Sequence, residues 1–175
     1  AQVASPPNCS DMQGGRRAGN QKDFRDLVKL AQCHDIIHCT GGYPVEPTDI
    51  HASVRHLECL SDIAKLTDKA FHVYSLGKER NQDGMEIARI ARGISHEQFE
   101  AEPSLFTIIN SNSPRKLDTP MLQGIMEMSS RNQIVMLTPF TLAGAMAPVT
   151  IAGAVVQQDE IVAGPGHLGE FERHR

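Results

Sequence analysis

Continuous apolar runs alternate with segments of helical periodicity along this chain. Four short runs have the length and apolar character of buried strands, namely Asp35–Thr40, Ala70–Leu76, Ser104–Asn110 and Ile134–Thr138. Their centres fall roughly 30 to 36 residues apart, which is the spacing of a strand, a crossover helix and two loops. The pattern therefore predicts consecutive βαβ units and a parallel sheet.

Amphipathic helices are predicted between and around these strands. In the first of them Phe24, Leu27 and Val28 lie on one face at helical spacing. Residues 95–103 are predicted to be a charged surface connector. The first two predicted helices are Gln21–Cys33 and Thr48–Leu66, the second with Thr48 as its N-cap. The third is capped by Asn81 or Asp83 and ends near Ile94, and the fourth runs from a Thr119 cap to Asn132. The last runs from Pro148 to about Glu160.

The order of these elements predicts an α/β fold, and more specifically a partial TIM (β/α)8 barrel of about four βα units with parallel strands. A complete barrel needs about 250 residues, and this chain has 175. A small open sheet with the same local connections is the alternative. We predict an extended lead-in over residues 1–20, the partial barrel over residues 21–160 and a C-terminal tail over residues 161–175.

Composition excludes several classes of function. The net charge is −4, and aromatic residues make up 5% of the chain with no Trp, so neither a basic nucleic-acid surface nor a stacking platform is visible. The longest apolar stretch, Leu142–Val156, is shorter than the roughly 20 residues of a membrane span. The four cysteines form no CxxC pair and no secretory signal is seen, which predicts reduced thiols in a cytoplasmic protein.

Polar residues follow the third and fourth predicted strands. Asn110, Asn112 and Ser113 come after one strand, and residues 138–144 come after the next. The carboxyl ends of parallel strands meet at one edge of a sheet, where ligands bind in this class of fold. The alternative is that these Asn and Ser side chains only stabilise a turn. His56 and Cys59 share a helix face, but no compact set of metal ligands is present, and no metal site is predicted.

Three motifs resemble the trimethylamine methyltransferase family, which contains corrinoid-dependent methyltransferases of methylated and quaternary amines. They are IINSNSPRKLD, MLTPF and AGAMAPVTIAGAVVQQ, and the earlier PVEPTDIHASVRHLECL and LTDKAFHVYSLGKER also fit. The resemblance covers about residues 10–158. It implies a TIM barrel whose pocket holds a small methylated amine such as trimethylamine or a glycine betaine-like compound.

The resemblance also implies how the chemistry is divided. The methyl acceptor is the corrinoid of a partner protein, so no cofactor is expected on this chain itself. Because a quaternary ammonium is already a good leaving group, the protein's catalytic role is mainly to position the methyl group and exclude water, and no acid–base residue is assigned. The predicted substrate-binding residues are Thr40, Glu46, Asn110, Asn112, Ser113, Thr138, Phe140 and Gly144.

The resemblance ends after Gln158, where the family pattern would continue through a long second half. The chain instead reads DEIVAGPGHLGEFERHR, as an internal deletion or an assembled fragment would. Three alternatives to an active methyltransferase therefore stay open. The first is an inactive remnant, and the second is a half-barrel that pairs with another copy to form a homo-oligomer. The third is an unrelated α/β enzyme with a phosphate site at the fourth strand.

Overall fold

The computed structural model describes residues 6–70, 72–111, 116–139 and 141–159. A helical stretch over residues 151–159 follows the last strand, within the predicted helix Pro148 to Glu160. The elements in chain order are β1 (Asn8–Asp11), β2 (Gly15–Ala18), α1 (Gln21–Gln32), α2 (Arg55–Leu66), α3 (Lys78–Arg92), α4 (His96–Ala101), β3 (Phe106–Ser111), α5 (Thr119–Ser130) and β4 (Ile134–Pro139).

The four predicted strand regions lie side by side in chain order, and each neighbouring pair is parallel. β3 and β4 form a ladder that runs from the Phe106–Ile134 pair to the Ser111–Pro139 pair. Before them, single parallel bridges join Cys39 to Ala70 and His72 to Phe106. The predicted α/β class and the parallel pairing of these regions are therefore confirmed. The partial barrel stays a prediction.

The first two strands are shorter than predicted. The run Asp35–Thr40 pairs only near its end, where the Thr40 amide donates to the Ala70 carbonyl oxygen at 3.1 Å. Ile36, expected to be buried, is 84% exposed. The second run contributes the bridges at Ala70 and His72 rather than a full strand. The apolar sequence of a run does not show how many of its residues pair with a neighbouring strand.

The predicted helices are present, but three of them have an N-terminus other than the predicted one. α2 begins at Arg55 and not after Thr48, because Thr48 donates its hydroxyl to the Gly19 carbonyl oxygen at 2.9 Å. α3 begins at Lys78 after a Gly77 N-cap with φ of 96°, so Asn81 lies inside the helix. α5 has Asp118 as its N-cap, one residue before the predicted Thr119.

One hairpin and one short helix were not predicted. The lead-in contains the antiparallel hairpin β1–β2, in which Asn8 pairs with Ala18. The guanidinium of Arg17 holds this hairpin to α1 through Asp23, with contacts of 2.5 and 2.7 Å. The connector over residues 95–103 contains α4, which a Ser95–Gln98 capping box starts. α4 is present because it buries Phe99 in the core.

The parallel sheet packs against α3 and α5 on one face. Glycines allow this close approach: a Cβ on Gly84 would lie 2.5 Å from Val73 Cγ1, and one on Gly124 would collide with Ser75 Oγ. Since side chains alternate along a strand, His72 and Tyr74 point to the opposite face. Residues of β3 and β4 that continue this opposite face are Phe106, Ile108, Asn110, Ile134, Met136 and Thr138.

Candidate functional site

The carboxyl-terminal edge of the parallel sheet brings two of the predicted site residues together. Asn110 of β3 and Thr138 of β4 are register partners at this edge. The Thr138 hydroxyl lies 3.2 Å from the Ile109 carbonyl oxygen and also in hydrogen-bond contact with Asn110 Oδ1. The side-chain amide nitrogen of Asn110 makes no hydrogen bond among the described residues. Asn110 can therefore donate to a ligand while Thr138 fixes its orientation.

A pocket of about 200 Å³ opens at the same edge beside the first two strand segments. The loop after the first segment supplies Tyr43 and Glu46, and the end of the second supplies Tyr74 and Leu76. The N-terminal turns of two helices close the other side. The residues that line the pocket are Tyr43, Glu46, Ala52, Arg55, His56, Tyr74, Leu76 and Arg80.

Two tyrosine rings form the aromatic wall of this pocket. The rings of Tyr43 and Tyr74 meet edge to face, with centroids 4.8 Å apart, and Phe24 of α1 supports Tyr43 from behind at 5.6 Å. The Tyr43 amide donates to Tyr74 Oη at 3.0 Å. Burial raises the pKa of both phenols. The wall is therefore rigid and neutral.

The charged groups of the pocket differ in how many hydrogen-bond and ion-pair partners they have. Arg55 Nη1 contacts Glu46 Oε1 at 2.6 Å, and Arg55 Nε and Nη2 donate to the Ile50 carbonyl oxygen at 3.0 and 2.8 Å. Within the described part of the chain, Arg80 makes no hydrogen bond or ion pair, and Glu46 Oε2 accepts none. One guanidinium and one carboxylate oxygen of the pocket are thus without a partner among the described residues.

His56 on the pocket wall is held by an acidic neighbour. Its Nε2 lies 2.9 Å from Asp83 Oδ2, which ties α2 to α3. No group of three or more His, Cys, Asp or Glu side chains that could hold a metal ion occurs in the described ranges. His56 therefore acts here as a link between the two helices that supply the pocket.

His72 is a buried histidine that the sequence analysis did not single out. It is 3% exposed and lies between the rings of Tyr74 and Phe106, at 4.8 and 5.5 Å. Neither ring nitrogen has a hydrogen-bond partner among the residues the structure describes. Burial lowers its pKa to about 4, so the imidazole is neutral at physiological pH.

The remaining predicted site residues have different surroundings. Thr40 is buried, and its Oγ1 accepts from the His72 amide at 3.4 Å, so it supports the strand pairing. Gly144 has φ of 82° in an exposed turn, where its amide donates to the Ala147 carbonyl oxygen at 2.9 Å. Asn112, Ser113 and Phe140 lie outside the described residues.

The pocket contains residues that sequence reasoning missed, and their positions offered a signal. Tyr43 stands directly after the Gly41-Gly42 turn that ends the first predicted strand, and Tyr74 stands near the end of the second. Strand-end loops are where ligands bind in parallel α/β folds. Arg80 carried no such signal, because its place on the pocket wall depends on where α3 begins.

Comparison with known proteins identifies the family to which the chain belongs. The model of the trimethylamine methyltransferase family (MTTB) matches residues 1–164. The chain therefore belongs to the trimethylamine methyltransferase family.

A particular relative is the glycine betaine methyltransferase of Desulfitobacterium hafniense (strain Y51). The two are 35% identical over 159 residues, which cover 90% of this chain and 33% of the relative. The chain thus spans about a third of the length of that protein. Among the helices of the described ranges, none has the length and apolar character that crossing a membrane requires.

Proposed function

We propose that this chain takes part in methyl transfer from a small methylated or quaternary amine to the corrinoid of a partner protein. The main support is the carboxyl-terminal edge of the parallel strands, which carries the Asn110–Thr138 pair on β3 and β4 and the aromatic pocket at the first two strand segments. Membership of the family and similarity to a glycine betaine methyltransferase support the reaction class.

The reaction asks the protein for position and for exclusion of water. The partner's corrinoid, when bound, would supply the nucleophile that accepts the methyl group. A quaternary ammonium, or trimethylamine in its protonated form, would leave as a neutral amine, because its nitrogen keeps the electron pair of the broken bond. Asn110 orients the amine, and the neutral rings of Tyr43 and Tyr74 bind its cationic head without competing for the methyl group.

An assay of methyl transfer tests this proposal. The purified chain is mixed with reduced cobalamin and either glycine betaine or trimethylamine, and the demethylated amine is measured by mass spectrometry. We expect one of the two amines to lose a methyl group. Asn110→Ala should lower kcat/KM about tenfold, as loss of an orienting hydrogen bond does. Gln123→Ala on the exposed side of α5 is the matched control, and an absence of product with both amines would overturn the proposal.

One observation favours a second reading, that of a half-barrel which pairs with another copy. Ile134 and Met136 of β4 are 46% and 43% exposed on the sheet face opposite the helices. Exposed apolar strand faces of this kind promote association. Analytical ultracentrifugation decides between the readings: dimers that form with rising concentration and ignore methylated amines would favour the second one.

A further inference from the structure

We propose that the pocket beside Tyr43 and Tyr74 selects zwitterionic amines, with the methylated ammonium group on the tyrosine wall and the carboxylate of the same molecule on Arg80. This inference rests on the proposed function and deepens it. It assigns Arg80 as the residue that separates an amino-acid betaine from a simple methylamine.

The cation-binding end of the pocket is formed by the aromatic wall and Glu46. The rings of Tyr43 and Tyr74 are fixed at 84° to each other, so one presents its edge where the other presents its face. A methylated ammonium group is attracted to aromatic faces and to carboxylates. Glu46 keeps one oxygen for this purpose, because only its Oε1 is engaged by Arg55.

The anion-binding end of the pocket is formed by Arg80. Arg80 lies in the first turn of α3, where the helix dipole adds positive potential. It lines the pocket and has neither a carboxylate nor a carbonyl partner in the part of the chain that the structure describes. The second guanidinium of the pocket, Arg55, is already bound by Glu46 and the Ile50 carbonyl. A ligand carboxylate would therefore bind Arg80 without breaking an existing pair.

The charge balance of the pocket agrees with a zwitterion. Glu46 and Arg55 pair through Glu46 Oε1, so together they add no net charge, and Arg80 is the remaining cationic side chain. A ligand with a single positive charge would satisfy the tyrosine wall but leave Arg80 unpaired. The pocket of about 200 Å³ lies below the range of about 300–1,000 Å³ usual for drug-sized ligands. It suits a small molecule whose two charges are one short carbon spacer apart.

Calorimetric titration with three probes tests this selectivity. The 175-residue chain is titrated with glycine betaine, choline and tetramethylammonium. All three carry a quaternary ammonium, and only glycine betaine also carries a carboxylate. We expect glycine betaine to bind at least tenfold more tightly than the other two. Arg80→Gln should weaken glycine betaine about 10- to 100-fold, the usual effect of losing a charged hydrogen bond, and leave tetramethylammonium within twofold.

Two further variants make the experiment decisive. Arg92→Gln removes the same charge from the other end of α3, where Arg92 contacts Glu102 outside the pocket, and should change no affinity. Arg80→Lys keeps the charge but not the planar fork, and should restore part of the glycine betaine affinity. Circular dichroism confirms that each variant is folded.

Each outcome has a defined meaning. If Arg80→Gln leaves the affinity for glycine betaine unchanged, or weakens all three probes equally, the assignment of Arg80 is overturned. If the wild-type chain binds tetramethylammonium as tightly as glycine betaine, the zwitterion inference is overturned and the proposed function stands. If it binds none of the three, the zwitterion inference is overturned, and the methyl-transfer assay with trimethylamine decides the proposed function.

Discussion

The two faces of the parallel sheet differ sharply in how this chain covers them. On the helix side Thr107 and Ile109 of β3 are fully buried, and α3 and α5 approach so closely that glycines stand at the contacts. On the opposite face His72 and Phe106 are buried, but cover decreases towards β4, where Ile134 and Met136 are nearly half exposed.

The contrast shows which face of the sheet is covered by this chain's own helices. The helix side buries its apolar area within the chain, and that burial is the main favourable term in stability. The opposite face carries the polar edge pair Asn110–Thr138 and Tyr74, which belong to the proposed binding site. Substitutions on the two faces should therefore have unequal effects on stability.

The largest effect is expected from Ile109→Ala on the helix side. Ile109 is completely buried, and truncation of such a side chain costs about 2–5 kcal/mol through lost transfer energy and the cavity left behind. The free energy of unfolding, measured by urea denaturation, should fall by this amount. A loss below about 1 kcal/mol would show that this face is not closely packed.

The next effect is a loss of stability in acid caused by His72. Its folded pKa of about 4 lies below the ordinary value of about 6.5, so the unfolded chain binds the proton more readily. The contribution of His72 to the free energy of unfolding is therefore fully present above pH 6.5. It is lost as the pH falls from 6.5 to 4, which lowers the free energy of unfolding by on the order of 3 kcal/mol.

Urea denaturation across this pH range measures the effect of His72. His72→Phe should flatten the pH dependence, because phenylalanine carries no titrating group between Tyr74 and Phe106. His38→Phe makes the same substitution at an exposed position and serves as the control. An equally steep acid loss in the His72 variant would show that other groups cause it.

A smaller loss is expected from Gly124→Ala on α5. The added methyl group would collide with Ser75 on the neighbouring strand segment, and such overpacking costs about 1–3 kcal/mol. Thermal unfolding measures it, with Ser129→Ala as the control at an exposed position of the same helix. If Gly124→Ala stabilised the chain, as a helix propensity gain alone would, the close approach of α5 would be refuted.

The smallest effect is expected from Met136→Ala on the open face. Because Met136 is 43% exposed, the loss should stay under about 1 kcal/mol, within the range of surface substitutions. The dye ANS reports the same face: its fluorescence should be visible with the wild-type chain and fall with Met136→Glu. A loss for Met136→Ala as large as that for Ile109→Ala would remove the contrast between the faces.

The order and direction of the strand regions could be predicted because they depend on periodicity. Runs such as Ile134–Thr138 are apolar and regularly spaced, and the intervening segments have helical faces, so parallel crossovers follow. The α4 helix could also have been predicted, because Ser95 and Gln98 form a capping box that is visible in the sequence. Its charged composition hid the single buried residue, Phe99.

The rest required knowledge of tertiary contacts. Thr48 and Asp49 have the composition of a helix cap, but they serve α1: Thr48 bonds to the Gly19 carbonyl, and Asp49 accepts from the Gln21 amide at 2.9 Å. The pocket joins a loop, a strand end and two helix starts that are distant in sequence. Asn110 and Thr138 could be paired in advance because they end adjacent strands, whereas Arg80 could not.

The most direct test of the account is where a methylated amine contacts the chain. Amide chemical-shift mapping by NMR, with glycine betaine added to the isotope-labelled protein, reports this position residue by residue. We expect shifts along the carboxyl-terminal edge, at Glu46, Tyr74, Asn110 and Thr138, with Ser104 and Ile134 at the other edge unchanged. Shifts confined to that other edge, or no shifts at saturating amine, would contradict it.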